Sequence, residues 1–282
     1  MRNKLIQIIK NLLINKPASW MPSGIYVSYI IVLSRFKLKS YSKIVSEKSS
    51  DFFIHQVTHN NQLIFFQSTV RINRFIKGFE HAGKRMWNRY KIDELLCGVE
   101  PGTIIDIGAN IGEFSFYAHK KYIEKVEIFT FDPDPITKEC IDNNLIGINA
   151  SINLVALSNK SGEEDFYLKT ESADSSLHEP FGESVKIKTK IVTLDSFFDN
   201  LELRSPVLLK MDAEGHEPEV LLGGVATLKH INWVSIDAGL ERYGKSTSSD
   251  VARILVEQGF SEVNISDTHL VTGKNNLTPS FR

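Results

Sequence analysis

Thr103-Ile-Ile-Asp-Ile-Gly-Ala-Asn-Ile-Gly112, followed by Asp132 in Phe129-Thr-Phe-Asp-Pro133 twenty positions on, decides how this chain is read. An apolar run of strand length, a glycine turn, a helix, a second apolar run and an acid at its end form half of a nucleotide-binding α/β unit. The acid is placed to hold a ribose. A pyrophosphate-binding turn needs Gly-x-Gly-x-x-Gly, but here the three positions are Gly108, Asn110 and Glu113. Carboxylates at Asp106 and Glu113 would repel a pyrophosphate. They suit a ligand without phosphates that carries positive charge and an adenosine, and S-adenosylmethionine is such a ligand. In an open parallel sheet the ligand sits beyond the carboxyl ends of the strands. That places Asp106, Gly108, Asn110 and Gly112 after strand one and Asp132 after strand two as the expected cofactor-binding set.

The alternation continues outward from this stretch. Further strands are expected near 152–156, 206–212 and 232–238, with helices near 111–121, 134–145, 216–229 and 247–258. Such alternation implies a mostly parallel sheet covered by helices on both faces. An insertion over about 162–200 holds two strand-like runs around the polar loop Ser172-Ala-Asp-Ser-Ser-Leu177. Phe260–Ile265 and His269–Thr272 read as a closing hairpin. Upstream, residues 84–97 read as helical, and Asn60-Asn61 marks a turn between Phe52–Val57 and Leu63–Phe66. The boundary between an amino-terminal appendage and the main domain is expected at 83/84.

At 282 residues the chain is long enough for one large α/β domain plus that appendage. The formal net charge of −1 is unevenly spread: residues 1–46 carry eight basic side chains and no acid, leaving 25 basic against 34 acidic residues in the body. A basic arm on an acidic body points to an anionic surface as the arm's partner. Asn3–Ile14 reads as an amphipathic helix with Leu5, Ile8, Ile9, Leu12 and Leu13 on one face, a pattern that fits peripheral attachment to a membrane. The longest apolar run, Gly24–Leu33, is about half of what a bilayer-spanning helix needs. Cys97 and Cys140 form neither a disulfide framework nor a metal knuckle, which fits the cytoplasm.

A second constellation lies in Leu208-Leu-Lys-Met-Asp-Ala-Glu-Gly-His-Glu-Pro-Glu219. Charged residues that end a buried strand are costly unless used or paired. Glu217 and Glu219 favour a first helical turn, and Pro218 suits a helix start. Lys210, Asp212, Glu214 and His216 are the candidate catalytic residues, with Asp212, Glu214 or His216 orienting or deprotonating an acceptor hydroxyl. Asp237 is expected at the neighbouring strand end, where Asp212 and Asp237 with an acceptor diol form a possible oxygen site for Mg²⁺.

Ile105-Asp-Ile-Gly-Ala-Asn-Ile-Gly112 together with Lys210-Met-Asp-Ala-Glu-Gly-His-Glu217 resembles the FkbM family of S-adenosylmethionine-dependent methyltransferases. Ala156–Gly162, Ser175-Ser-Leu177 and Thr193–Phe197 resemble further segments of that family, and the likeness covers about 90–275. Asp132-Pro133 stands where the family more often has Glu-Pro. The resemblance implies a Rossmann-like class I methyltransferase fold with a seven-stranded sheet, and places Ala156 and Leu157 beside the cofactor. It also implies O-methylation of a hydroxyl, often on a sugar of a glycan, glycolipid or secondary metabolite, as in polysaccharide biosynthesis.

Two other readings fit the sequence less well. A nicotinamide-dependent oxidoreductase lacks its glycines here, and Tyr90, Tyr122 and Tyr243 are followed four positions on by Glu94, Val126 and Thr247 rather than lysine. A non-catalytic glycan-binding or membrane-surface module has no need of acids at strand ends. Nucleic acid is not the expected partner, because the body is acidic and no base-flipping loop follows the fourth strand.

Overall fold

The apolar runs pair into one seven-stranded sheet built from β4 (Thr103–Ile107), β5 (Glu127–Phe131), β6 (Ala150–Asn153), β10 (Val207–Asp212), β11 (Trp233–Asp237), β12 (Phe260–Ile265) and β13 (Leu270–Asn275). This computed structural model describes residues 44–275 apart from 50–51, 60–61, 68–71, 76, 170–174, 180–181 and 183. The amphipathic helix expected over 3–14 and the apolar run at 24–33 lie outside the described residues. Among the described residues no helix is long and apolar enough to cross a membrane.

The strand order is β12-β13-β11-β10-β4-β5-β6. The β4, β5, β6, β10 and β11 pairings are parallel, whereas β13 runs antiparallel to both β11 and β12. After β4 the chain moves outward to β5 and β6, then returns to lay β10 on the other side of β4. The carboxyl ends of β4 and β10 are therefore the topological switch point, where an open α/β sheet leaves a crevice. This order, with the antiparallel strand inserted next to the edge, is the Rossmann-like methyltransferase arrangement expected from the sequence.

Parity along the strands sorts the side chains between two cores. Ile105, Ile107, Leu209 and Met211 pack on one face with Val220, Leu221, Val251 and Leu255. The last four belong to helices α7 (Glu217–Leu222) and α9 (Ser248–Glu257). Ile104, Ile128 and Leu208 pack on the other face with Trp87, Tyr90, Phe114 and Ala118. Those residues come from α2 (Phe79–Arg89), its cap, and α4 (Glu113–Tyr122). Successive strand residues alternate faces, so Asp106 and Lys210 fall with Ile104 and Leu208, and the parallel register sets them side by side.

Three details depart from the expected elements. The helix expected over 216–229 is two helices, α7 and α8 (Val225–Leu228), broken at Gly223-Gly224. A Cβ on Gly223 would lie 2.1 Å from the Ser158 carbonyl oxygen, so close approach to that loop breaks the helix here. The third strand ends at Asn153, and Ala156–Leu157 (β7) leaves the sheet to pair with Val185–Val192 (β9), which also pairs with Gly162–Leu168 (β8). The insertion is thus a small sheet of its own standing over the crevice. The expected boundary at 83/84 falls inside α2. Strands β1 (Ile44–Ser49), β2 (Phe52–His59) and β3 (Gln62–Phe66) form an antiparallel sheet, with β2 and β3 paired on either side of Asn60-Asn61, which lie outside the described residues. The Asn144 side chain ties β3 to the body: its Oδ1 accepts from Phe65 N at 2.8 Å, and its Nδ2 donates to Phe65 O at 2.9 Å.

Helices α2 and α4 cross at Gly83, where an added Cβ would stand 2.1 Å from the Glu113 carbonyl oxygen and 2.6 Å from Tyr117 Cβ. Alanine is the better helix former, but here it would force the two helices apart. Gly83→Ala is expected to lower stability by about 1–3 kcal/mol in urea denaturation. A gain in stability would mean that the crossing is looser than described.

Candidate active site

A cavity of about 500 Å³ opens at the switch point, lined by the turn after β4, the ends of β5, β10 and β11, the β7 segment and the insertion loop. The turn after β4 is folded across toward β5, with Gly108 N and Ala109 N both donating to the Phe131 carbonyl, at 2.9 and 3.1 Å. Gly108 has φ +66, and a Cβ there would overlap the Asp212 carbonyl oxygen at 1.8 Å. Only glycine lets the two strand ends approach so closely. Asn110, also left-handed at φ 51, donates its backbone N–H to Asp132 Oδ2 at 2.8 Å. Asp132 Oδ1 accepts from Asp134 N at 3.0 Å and from Thr137 Oγ1 at 2.6 Å. Burial, and then the charge of Asp134, push the Asp132 carboxyl up to about 7.

Asp106 and Lys210 are placed differently from the expectation that both face a ligand. Asp106 is fully buried behind the cavity wall and does not line it. Its Oδ1 pairs with Lys210 Nζ at 2.9 Å, and its Oδ2 accepts from Ser115 Oγ at 2.6 Å. Burial pushes the carboxyl up, against the opposing pull of the Lys210 ammonium and the Ser115 hydroxyl. Lys210 Nζ also donates to the carbonyls of Ile107 at 3.2 Å and Gly108 at 2.9 Å, and lies over the Tyr90 ring at 5.2 Å. The amine touches the cavity wall but is fully committed. It holds the glycine turn. Gly112 is also outside the cavity lining, capping α4 against Leu145.

Asp212 and Asp237 are register partners at adjacent strand ends, as expected. The positive charge beside them is Arg89: its guanidinium ion-pairs with Asp237. Tyr90 OH donates to Asp212 Oδ2 at 2.9 Å. Burial and the Asp212 charge raise the Asp237 carboxyl, while Arg89 pulls it down. Glu214 sits in a left-handed turn at φ 48, its carbonyl accepting from Ser176 Oγ at 2.9 Å. His216 is buried, its Nε2 2.9 Å from Ser158 Oγ, and burial drives its imidazole down to about 4. Glu217, expected only to favour the helix start, is buried. Its carboxylate accepts from Ala213 N, Gly215 N and Thr247 Oγ1, tying the loop after β10 to α9. Ala156 and Leu157 line the cavity together with Phe131 and Val155, as an apolar wall.

Residues 106–262 match the family model described as the methyltransferase FkbM domain. The chain belongs to this family. The chain is 28% identical over 166 residues to the hexuronic acid methyltransferase AglP of Haloferax volcanii, covering 57% of this chain and 64% of that protein, so the match spans a little less than two thirds of the relative. It is 25% identical over 186 residues to the 2-O-methyltransferase NoeI of Sinorhizobium fredii, covering 58% of this chain and 74% of that protein. Among solved structures, a SAM-dependent methyltransferase from Aquifex aeolicus is similar at a TM-score of 0.38 and 15% identity, over 72% of this chain and 90% of that chain.

The residues of this FkbM domain fit an adenosylated amino acid. Asn110 and Glu113 both line the cavity, and Asn110 Oδ1 and Glu113 Oε2 are buried acceptors with no hydrogen-bond partner among the described residues. Buried acceptors left unpaired are costly, and an ammonium group supplies the missing donors. Arg74 lies 3.5 Å from Glu113 Oε1 and also lines the cavity, a cation within reach of a carboxylate. Arg74, Arg89 and Tyr90 escaped the sequence reading because they precede the motif-bearing region. The signal that would have found the last two is Arg89-Tyr90 at a helix end leading into the first strand.

Lys210→Met would leave the Asp106 carboxylate buried without its cation. The expected cost is about 3–5 kcal/mol in chemical denaturation. The double variant Lys210→Met, Asp106→Leu should recover part of that loss. Equal stability of Lys210→Met and the wild type would reject the pair as a structural element.

Proposed function

We propose that this FkbM domain transfers a methyl group from S-adenosylmethionine to a hydroxyl of a carbohydrate acceptor. One observation carries the reading: a single cavity has two chemically different ends. At one end stand a ribose-type carboxylate, Asp132, and the unpaired acceptors Asn110 and Glu113. At the other stand Asp212, Asp237 and Arg89, two carboxylates and a guanidinium fit to hold a hydroxylated acceptor. The names of the relatives, a hexuronic acid methyltransferase and a 2-O-methyltransferase, support a sugar hydroxyl as the acceptor.

In this reading Asp132 accepts both ribose hydroxyls, Asn110 and Glu113 accept from the ammonium group, and Ala156, Leu157 and Phe131 line the adenine. Bound S-adenosylmethionine supplies an electrophilic methyl, so the protein has little covalent work to do. Its residues position the acceptor oxygen and receive its proton. Asp212 is the assigned proton acceptor. It lies at the switch point against the glycine turn and is held in place by Tyr90 OH. Lys210 is spent on Asp106. His216 is a weak base, with its imidazole lowered to about 4. Arg89, paired to Asp237, supplies the cation for the acceptor end, where the sequence reading allowed for Mg²⁺.

The ribose assignment carries a pH dependence. Asp132 stands near 7, and the hydroxyls donate to its ionised form. Affinity for S-adenosylhomocysteine in calorimetry should be full above pH 7 and weaken as pH falls through 7, approaching about tenfold per unit. Asp132→Asn should bind weakly and lose this dependence. A flat profile in the wild type, or unchanged affinity in Asp132→Asn, would reject the assignment.

Asp212→Asn is expected to retain S-adenosylhomocysteine binding while kcat falls by a factor on the order of 10²–10⁴, read as mass gain on a panel of sugar acceptors. Loss of cofactor affinity with unchanged kcat would move Asp212 from the chemistry to the cofactor site.

A further inference from the structure

His178, His216 and Glu219 come together beside the cavity, which the two histidines line. Their donor atoms all lie within 4.8 Å of one another. His216 Nδ1 is 3.4 Å from His178 Nε2 and 3.8 Å from Glu219 Oε2. Two ligands about 2.0–2.1 Å from a tetrahedral zinc ion stand roughly 3.4 Å apart, which is the spacing of the two imidazole nitrogens. The second nitrogen of the His216 ring is also provided for: His216 Nε2 is 2.9 Å from Ser158 Oγ. When Nε2 carries the proton and donates it to that hydroxyl, His216 Nδ1 presents its lone pair toward His178 Nε2 and Glu219. A partner that fixes the outer N–H and frees the inner nitrogen is the usual support of a metal-ligating histidine.

From this geometry we propose a zinc-class divalent cation site formed by His178, His216 and Glu219, with a fourth position left to water or to a group in the cavity. The site joins the insertion, which carries His178, to the first turn of α7, which carries His216 and Glu219. A bound ion clamps the insertion loop over the cavity. Arg242 competes with the ion, because its guanidinium ion-pairs with Glu219. Occupancy therefore requires the carboxylate to be shared or released by Arg242, and removing that arginine's charge should favour the metal. His216 lies within the Lys210–Glu217 segment that carries the family resemblance, whereas His178 lies outside every such segment.

The test uses the full chain, free of any histidine tag, titrated with Zn²⁺ against a chromophoric chelator. The expected result is one equivalent bound, with tetrahedral ligand-field absorption when Co²⁺ replaces Zn²⁺. His178→Gln should abolish stoichiometric uptake, Ser158→Ala should weaken it about tenfold, and Arg242→Gln should strengthen it. Zn²⁺ should also raise the melting temperature of the wild type and not that of His178→Gln. Circular dichroism of each variant separates loss of the site from loss of fold. Because no methyl donor or acceptor is involved, the outcome is independent of the proposed transferase activity. A wild type that takes up no stoichiometric Zn²⁺, or a His178→Gln chain that takes up as much as the wild type, would overturn the site and leave the two imidazoles sharing a proton.

Discussion

The buried pair between Lys210 and Asp106 is the constraint around which the crevice is built. Two charges in the middle of a parallel sheet are tolerable only when every donor and acceptor around them is used. Here the ammonium takes Asp106 and the carbonyls of Ile107 and Gly108, while Asp106 also takes the Ser115 hydroxyl. These contacts hold the end of β4 to the end of β10 and hold the start of α4 beneath them. The glycine turn is thereby presented to the cavity in one shape, with Gly108 against the Asp212 carbonyl and Asn110 turned to Asp132. The pair fixes the shape of the turn that lines the cavity.

With the turn held in place, the two ends of the cavity acquire different chemistry from different parts of the chain. The cofactor end is local to the βαβ unit: Asn110, Asp132, Asp134 and Thr137 interlock through short hydrogen bonds within 28 residues of sequence. The end proposed for the acceptor is assembled from distant pieces. Asp212 and Asp237 come from the strands, and Arg89 and Tyr90 come from the end of α2, more than 120 positions away.

The strand–helix alternation, the pairing of β2 with β3 and the cluster after β10 were legible in the sequence, because burial on both faces of a parallel sheet demands continuous apolar runs, and turns demand their own residue types. Asp132, Asp212 and Asp237 were placed correctly at strand ends for the same reason. Asp106 and Lys210 pair with each other inside the sheet. Both are charged residues near strand ends, and only the parity of the two strands and their register show that they satisfy each other rather than a ligand. The split at Gly223-Gly224 and the departure of Ala156–Leu157 from the main sheet likewise depend on which loop lies opposite, something periodicity along one segment does not encode.

What the sequence alone determined is the order of the elements and the acids Asp132, Asp212 and Asp237 at the strand ends, since each follows from local patterns of burial and turn chemistry. The tertiary structure decided which charges are spent internally and which face the cavity, that Arg74, Arg89 and Tyr90 join the site, and that His178 meets His216. These outcomes rest on contacts between segments far apart in the chain. Their distances are set by sheet register and helix packing, and no window of sequence carries that information.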